Sequence, residues 1–100
     1  MGAAMAAWFY MLRLKSGQLY VGATKHLKER YQAHCDGEAC RTTELDPPRG
    51  IVYSEEHPTY AQARRREAQV KKWTRAKKEA LAAGDLQALR RLSRSHDPRD

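Results

Sequence analysis

No stretch of this 100-residue chain approaches the roughly 18 consecutive apolar residues that a membrane-spanning helix requires, so no membrane span is expected. Cysteine is scarce: Cys35 and Cys40 are the only two, too few for the disulfide framework of a secreted domain. Two reduced thiols in a cytoplasmic protein are the expectation. With His34 and His57 they make four residues of zinc-ligand type, but the spacing matches no common zinc module. Residues 2–12 are uncharged and mostly apolar, like the apolar region of a signal peptide. A basic segment before them is lacking, and the aromatic run Trp8-Phe9-Tyr10 suits a strand better. Ala6 stands where myristoylation at Gly2 would need Ser or Thr. Internal repeats are absent, and the length holds one domain with one small core.

Acidic residues are sparse at one end. Residues 1–60 carry seven Lys/Arg and seven Asp/Glu, whereas residues 61–100 carry twelve and five. The whole net charge of +7 therefore lies in the last forty residues. Such an asymmetry points to a polyanion, nucleic acid first, against the plainer reading of a solvated basic face. At 41% apolar and 31% charged residues the chain is globular rather than disordered.

Residues 7–14, AWFYMLRL, are β-rich, and the turn signal Lys15-Ser16-Gly17-Gln18 separates them from a second strand, QLYVG at 18–22. So short a connection predicts an antiparallel hairpin. Leu27, Tyr31 and His34 recur at helical spacing, which predicts a helix over about 26–35 ended by Asp36-Gly37. Residues 36–50 are polar, with Pro47, Pro48 and Gly50, and read as a loop whose Arg41 and Arg49 are available for function. IVYS at 51–54 is a third strand. Helices follow at about 60–72, from Thr74 to about Ala82, and over 86–93, with Gly84-Asp85 stopping one and capping the next. Residues 94–100 are a polar, frayed tail. The order ββαβαα predicts an α+β fold, a small three-stranded antiparallel sheet flanked by helices.

One residue breaks its pattern. Tyr60, Ala63, Glu67 and Val70 share a helical face, and Glu67 sits where an apolar side chain belongs. A carboxylate facing a sheet is costly unless it is paired or bound to a cation. An ion pair with Arg64 or Lys71 is one solution, and a cleft-facing metal ligand is the other. Arg30 and His34, spaced i, i+4, project together from the first helix, and Tyr10 and Tyr20 lie on neighbouring strands where cross-strand packing would also explain them.

Together these residues resemble the GIY-YIG nucleases. Trp8-Phe9-Tyr10, then Tyr20-Val21-Gly22 ten residues on, look like the two halves of that signature. Leu27, Arg30 and His34 match the family's helix with its catalytic arginine and a following histidine or tyrosine. ARRREAQVKKW at 63–73 looks like the segment carrying its metal-binding glutamate, here Glu67, and IVYSEE resembles small stand-alone bacterial members. The likeness covers roughly residues 7–82 and implies a nuclease-like domain over 7–83, an N-terminal extension at 1–6 and a basic helical tail at 84–100. Trp8 replaces the first glycine, as is frequent in the small subgroup. Ala23 stands where some members have lysine, and the asparagine of longer members has no counterpart.

The resemblance implies a metal-dependent DNA endonuclease that hydrolyses phosphodiester bonds in repair or processing, with one Mg²⁺ or Mn²⁺ held by Glu67. Arg30 suits the charge that builds on the phosphate. Tyr20 and His34 are the candidate general bases, the histidine nearer its ideal pKa, with Tyr10 orienting water or phosphate. Gly22 would allow a phosphate to approach closely beside Tyr20. Arg41, Arg64, Arg65, Lys71 and Lys72, with Arg66 in the same run, would supply phosphate contacts. Without a sequence-reading module, branched or nicked DNA is the expected partner. A non-catalytic nucleic-acid-binding protein on the same scaffold is the alternative.

Overall fold

The computed structural model describes residues 6–95. A three-stranded antiparallel sheet has the order β2-β1-β3, with β1 at Ala7–Leu14, β2 at Leu19–Thr24 and β3 at Pro48–His57. Helices are α1 at Leu27–Cys35, α2 at Arg41–Leu45, α3 at Tyr60–Lys71, α4 at Arg75–Ala83 and α5 at Leu86–Ser95. The α+β class and the flanking helices are those expected from the sequence. Among the described residues no helix is long and apolar enough to cross a membrane.

β1 is central, so its alternating side chains enter two different cores. Phe9 and Met11 join Val21, Val70 and Leu81 on the face covered by α3 and α4, with Trp73 and Leu89 against them. Tyr10, Leu12 and Leu14 face the other way, against Tyr20, Leu27 and Tyr31. The hairpin closes as the turn signal requires: Gly17 has φ +98° and the Leu14 N–H donates to the Gln18 carbonyl at 2.8 Å.

Helix boundaries follow their caps. Thr59 and Thr74 side chains accept from the Gln62 and Lys77 N–H groups at 3.1 and 3.2 Å, Gly84 is left-handed at φ +70°, and Asp85 accepts from the Ala88 N–H at 3.0 Å. Two expectations are corrected. The supposed loop at 36–50 contains α2, whose single buried side chain is the polar Thr43. One turn is too short to show periodicity. The third strand runs ten residues rather than four, because an edge strand pairs along all of β1 while leaving polar side chains in solvent. The frayed tail expected at 94–100 lies largely outside the described residues, as do residues 1–5.

Arg13 on β1 reaches across to α4, where its two terminal nitrogens donate to the two Glu79 oxygens at 2.6 and 2.7 Å. Glu79→Gln is expected to lower stability by about 1 kcal/mol at neutral pH. The Arg13 hydrogen bonds hold the Glu79 carboxyl below its ordinary range, so this stabilisation exists above the unfolded pKa of about 4.3 and is lost on acidification. Urea denaturation of both proteins at neutral pH and near pH 3 checks this: the gap should close at the lower pH.

Candidate active site

The site begins at the pairing of β1 with β2. Tyr10 lies directly opposite Gly22, and Tyr20 lies one pleat away, opposite Leu12. The missing side chain of Gly22 makes room for the Tyr10 phenol: a Cβ there would stand 2.6 Å from Tyr10 Cζ. The expectation gave that space to a phosphate; in the fold Tyr10 fills it. The two phenol rings are 6.5 Å apart.

α1 then places a ring against both. The His34 imidazole lies edge-on to Tyr20 at 5.0 Å and to Tyr10 at 5.8 Å between centroids. Its Nε2 is 2.8 Å from the Tyr10 hydroxyl and its Nδ1 is 2.8 Å from Thr43 Oγ1. At 1% exposure, with both ring nitrogens engaged, His34 stands behind Tyr10 rather than at the surface. Arg30, one turn earlier, is exposed. The two were expected to face a phosphate together; burial separates them. Burial, with Arg30 beside it, lowers the His34 pKa and holds the ring neutral.

The sign of the resulting pH dependence follows. A histidine whose pKa is lowered by folding binds a proton more readily when unfolded, so acidification through the unfolded pKa of about 6.5 destabilises the fold. The melting temperature is expected to fall between about pH 7.5 and about pH 5.5, and to fall less in His34→Gln. Equal slopes in thermal scans of the two proteins would remove His34 from that role.

α2 completes the ring of contacts. Cys40, extended at its N-cap, points its sulfur at the Tyr20 hydroxyl at 3.6 Å and at Thr43 Oγ1 at 3.5 Å. Burial would raise the Cys40 pKa, but hydrogen bonds from Thr43, Tyr20 and the Thr42 amide outweigh it and hold the thiol below its usual value. Both phenols of this cluster are pushed well above the ordinary tyrosine value, chiefly by burial. Arg30 opposes that shift on both, and Glu67 adds to it. Two tyrosines, Arg30 and Glu67 thus share one electrostatic neighbourhood.

Glu67 makes both ion pairs expected of it, to Arg64 at 3.4 Å and to Lys71 at 3.3 Å, with its side chain 16% exposed. Among the described residues no group of three His, Cys, Asp or Glu side chains could hold a metal by itself. One carboxylate, whose charge reaches both phenols, is an oxygen donor of the type that suits a hard cation keeping several waters and taking its other ligands from a phosphate.

The remaining basic residues divide. Arg41 is exposed on α2, 3.7 Å from Glu44. Arg64 also lies over the Tyr60 ring at 5.8 Å, with Lys25 at the same distance from that ring. Arg65, Lys71 and Lys72 are exposed. Arg66 is different: it clasps Glu55 through Nε and Nη2 at 3.0–3.2 Å and covers Trp73 at 5.3 Å, so it is structural rather than a phosphate contact. Thr43 and Cys40 were absent from the expected site. Their spacing of three across a helix start was visible, but nothing local says that this turn packs on two tyrosines.

The model of the GIY-YIG catalytic domain matches residues 6–80. A UPF0213 protein of Xanthomonas axonopodis pv. citri is 36% identical over 97% of this chain and 92% of its own length. Another from Bacillus pumilus is 35% identical over 72% of this chain and 74% of its own. The solution NMR structure of a UPF0213 protein from Bacillus halodurans superposes with a TM-score of 0.50 at 29% identity, covering 89% of this chain and 98% of that one. With the tyrosine pair, the helical arginine and the glutamate in one neighbourhood, and the domain pattern matched across most of its length, this chain belongs to the GIY-YIG domain family.

Proposed function

We propose that the protein is a metal-dependent DNA endonuclease, selective for branched or nicked structure and acting in DNA repair or processing. The observation that carries this reading is the cluster of Tyr10, Tyr20 and His34 at the β1–β2 pairing, with the Tyr10 hydroxyl 2.8 Å from His34 Nε2 and the charges of Arg30 and Glu67 acting on both phenols. A site that only packed would have no use for an exposed arginine whose charge acts on one buried and one half-buried phenol. Water attacks phosphorus, a new P–O bond forms, and the bond to the leaving oxygen breaks. Arg30 stabilises the charge that develops on the non-bridging oxygens. Tyr10 takes the water proton as its own passes to His34, which is neutral and already in contact with it. Tyr20 orients the phosphate. Mg²⁺ or Mn²⁺ held by Glu67 would supply Lewis-acid stabilisation of phosphate and leaving group. Arg41, Arg64, Arg65, Lys71 and Lys72 contact the backbone without reading sequence.

Incubating the purified protein with branched, nicked and single-stranded DNA plus Mg²⁺ or Mn²⁺ tests this. Cleavage is expected, and Glu67→Ala should slow it by about 100-fold or more. No cleavage of any substrate, or equal cleavage by the variant, overturns the reading. Salt-dependent binding without turnover would instead favour a binding protein, for which the ion pairs of Glu67 with Arg64 and Lys71 speak.

A further inference from the structure

The proton arrangement around His34 is constrained by the number of donors. Tyr10, 2% exposed, has one hydroxyl partner among the described residues, His34 Nε2. Thr43, fully buried, touches His34 Nδ1 at 2.8 Å, and its hydroxyl donates to the Cys40 carbonyl at 3.5 Å. Suppose the Tyr10 hydroxyl donates to Nε2. Then Nδ1–H donates to Thr43 Oγ1, and the Thr43 proton goes on to Cys40, so every donor is satisfied. Suppose instead that Nε2 carries the proton. Then Thr43 donates to Nδ1, and the Tyr10 proton is left in a buried site with no acceptor, at a cost of about 1–3 kcal/mol.

We infer that Thr43 is a positioning residue: the Tyr10 hydroxyl selects the Nδ1–H tautomer of His34, and the buried Thr43 hydroxyl sustains it by accepting that Nδ1 proton, which keeps Nε2 open to receive the Tyr10 proton. α2 is then the backstop of the site rather than a connection between α1 and β3. Any catalytic consequence rests on the nuclease reading above, but the tautomer does not.

Long-range ¹H–¹⁵N correlation spectra of the full chain report which His34 nitrogen bears the proton. The wild type is expected to show Nδ1–H. Thr43→Val, which keeps the shape and removes the hydroxyl, is expected to shift the population toward Nε2–H. Thr43→Ser, which keeps the hydroxyl, should restore the wild-type pattern. On nicked DNA, Thr43→Val should lower kcat by about tenfold or more with KM little changed, as expected for a residue that orients another. An Nε2–H wild type, or a tautomer unmoved in Thr43→Val, overturns the inference even if DNA is cleaved. An Nδ1–H tautomer that depends on Thr43, in a protein that cleaves no DNA, supports the inference and overturns the nuclease reading alone.

Discussion

Replacing Arg30 by alanine is expected to reduce DNA cleavage by about 10²–10³-fold while leaving the melting temperature nearly unchanged. Arg30 is exposed, and among the described residues it forms no ion pair, so its removal leaves no buried charge uncompensated. Its effect is electrostatic. It lowers the pKa values of Tyr10 and Tyr20 against burial, which raises them, and lowers that of His34 together with burial. Without it both phenols become still harder to ionise, so Tyr10 yields its proton to His34 less readily, and the transition-state charge loses its planar donor. Arg30→Lys keeps the charge and loses the fork, so it should fall between the two. Rates measured under saturating DNA separate this from weakened binding. Wild-type turnover in Arg30→Ala would exclude Arg30 from the chemistry.

Gly22→Ala is the second large effect, and it acts on stability and site together. A Cβ at this position meets Tyr10 Cζ at 2.6 Å and Cε2 at 3.1 Å. The end of a side chain can often swing aside, but Tyr10 cannot do so cheaply. Its ring is buried, and its hydroxyl is held by His34 at 2.8 Å. Overpacking of this kind costs about 1–3 kcal/mol. In a chain of this size that lowers the melting temperature by about 4–8 °C per kcal/mol. Gly50→Ala is the control, because its Cβ would meet nothing within 4 Å. Thermal denaturation of the two variants checks the contrast. A neutral Gly22→Ala would mean that Tyr10 is not wedged against β2.

Both effects arise where strands and helices meet, and the sequence was legible there to different degrees. The hairpin was readable because its turn, glycine and alternating apolar residues are local. The three C-terminal helices were readable because Thr59, Thr74, Gly84 and Asp85 cap them through neighbours a few residues away. Glu67 was conspicuous because it breaks a periodic stripe. Arg66 was misleading: in sequence it continues a basic run, yet Glu55, eleven residues earlier, captures it through the sheet.

The sequence by itself thus determined the element types apart from α2, the caps of the last three helices and the resemblance to a GIY-YIG nuclease. Each depends on residues close along the chain or on motifs in fixed order. Only the tertiary structure decided that His34 is buried and Arg30 exposed, that Tyr10 occupies the space over Gly22, and that Thr43 closes the circuit behind them. The contact that organises the site joins Tyr10 to His34 across 24 residues. No local preference encodes such a meeting; the packing of α1 and α2 against one face of the sheet creates it.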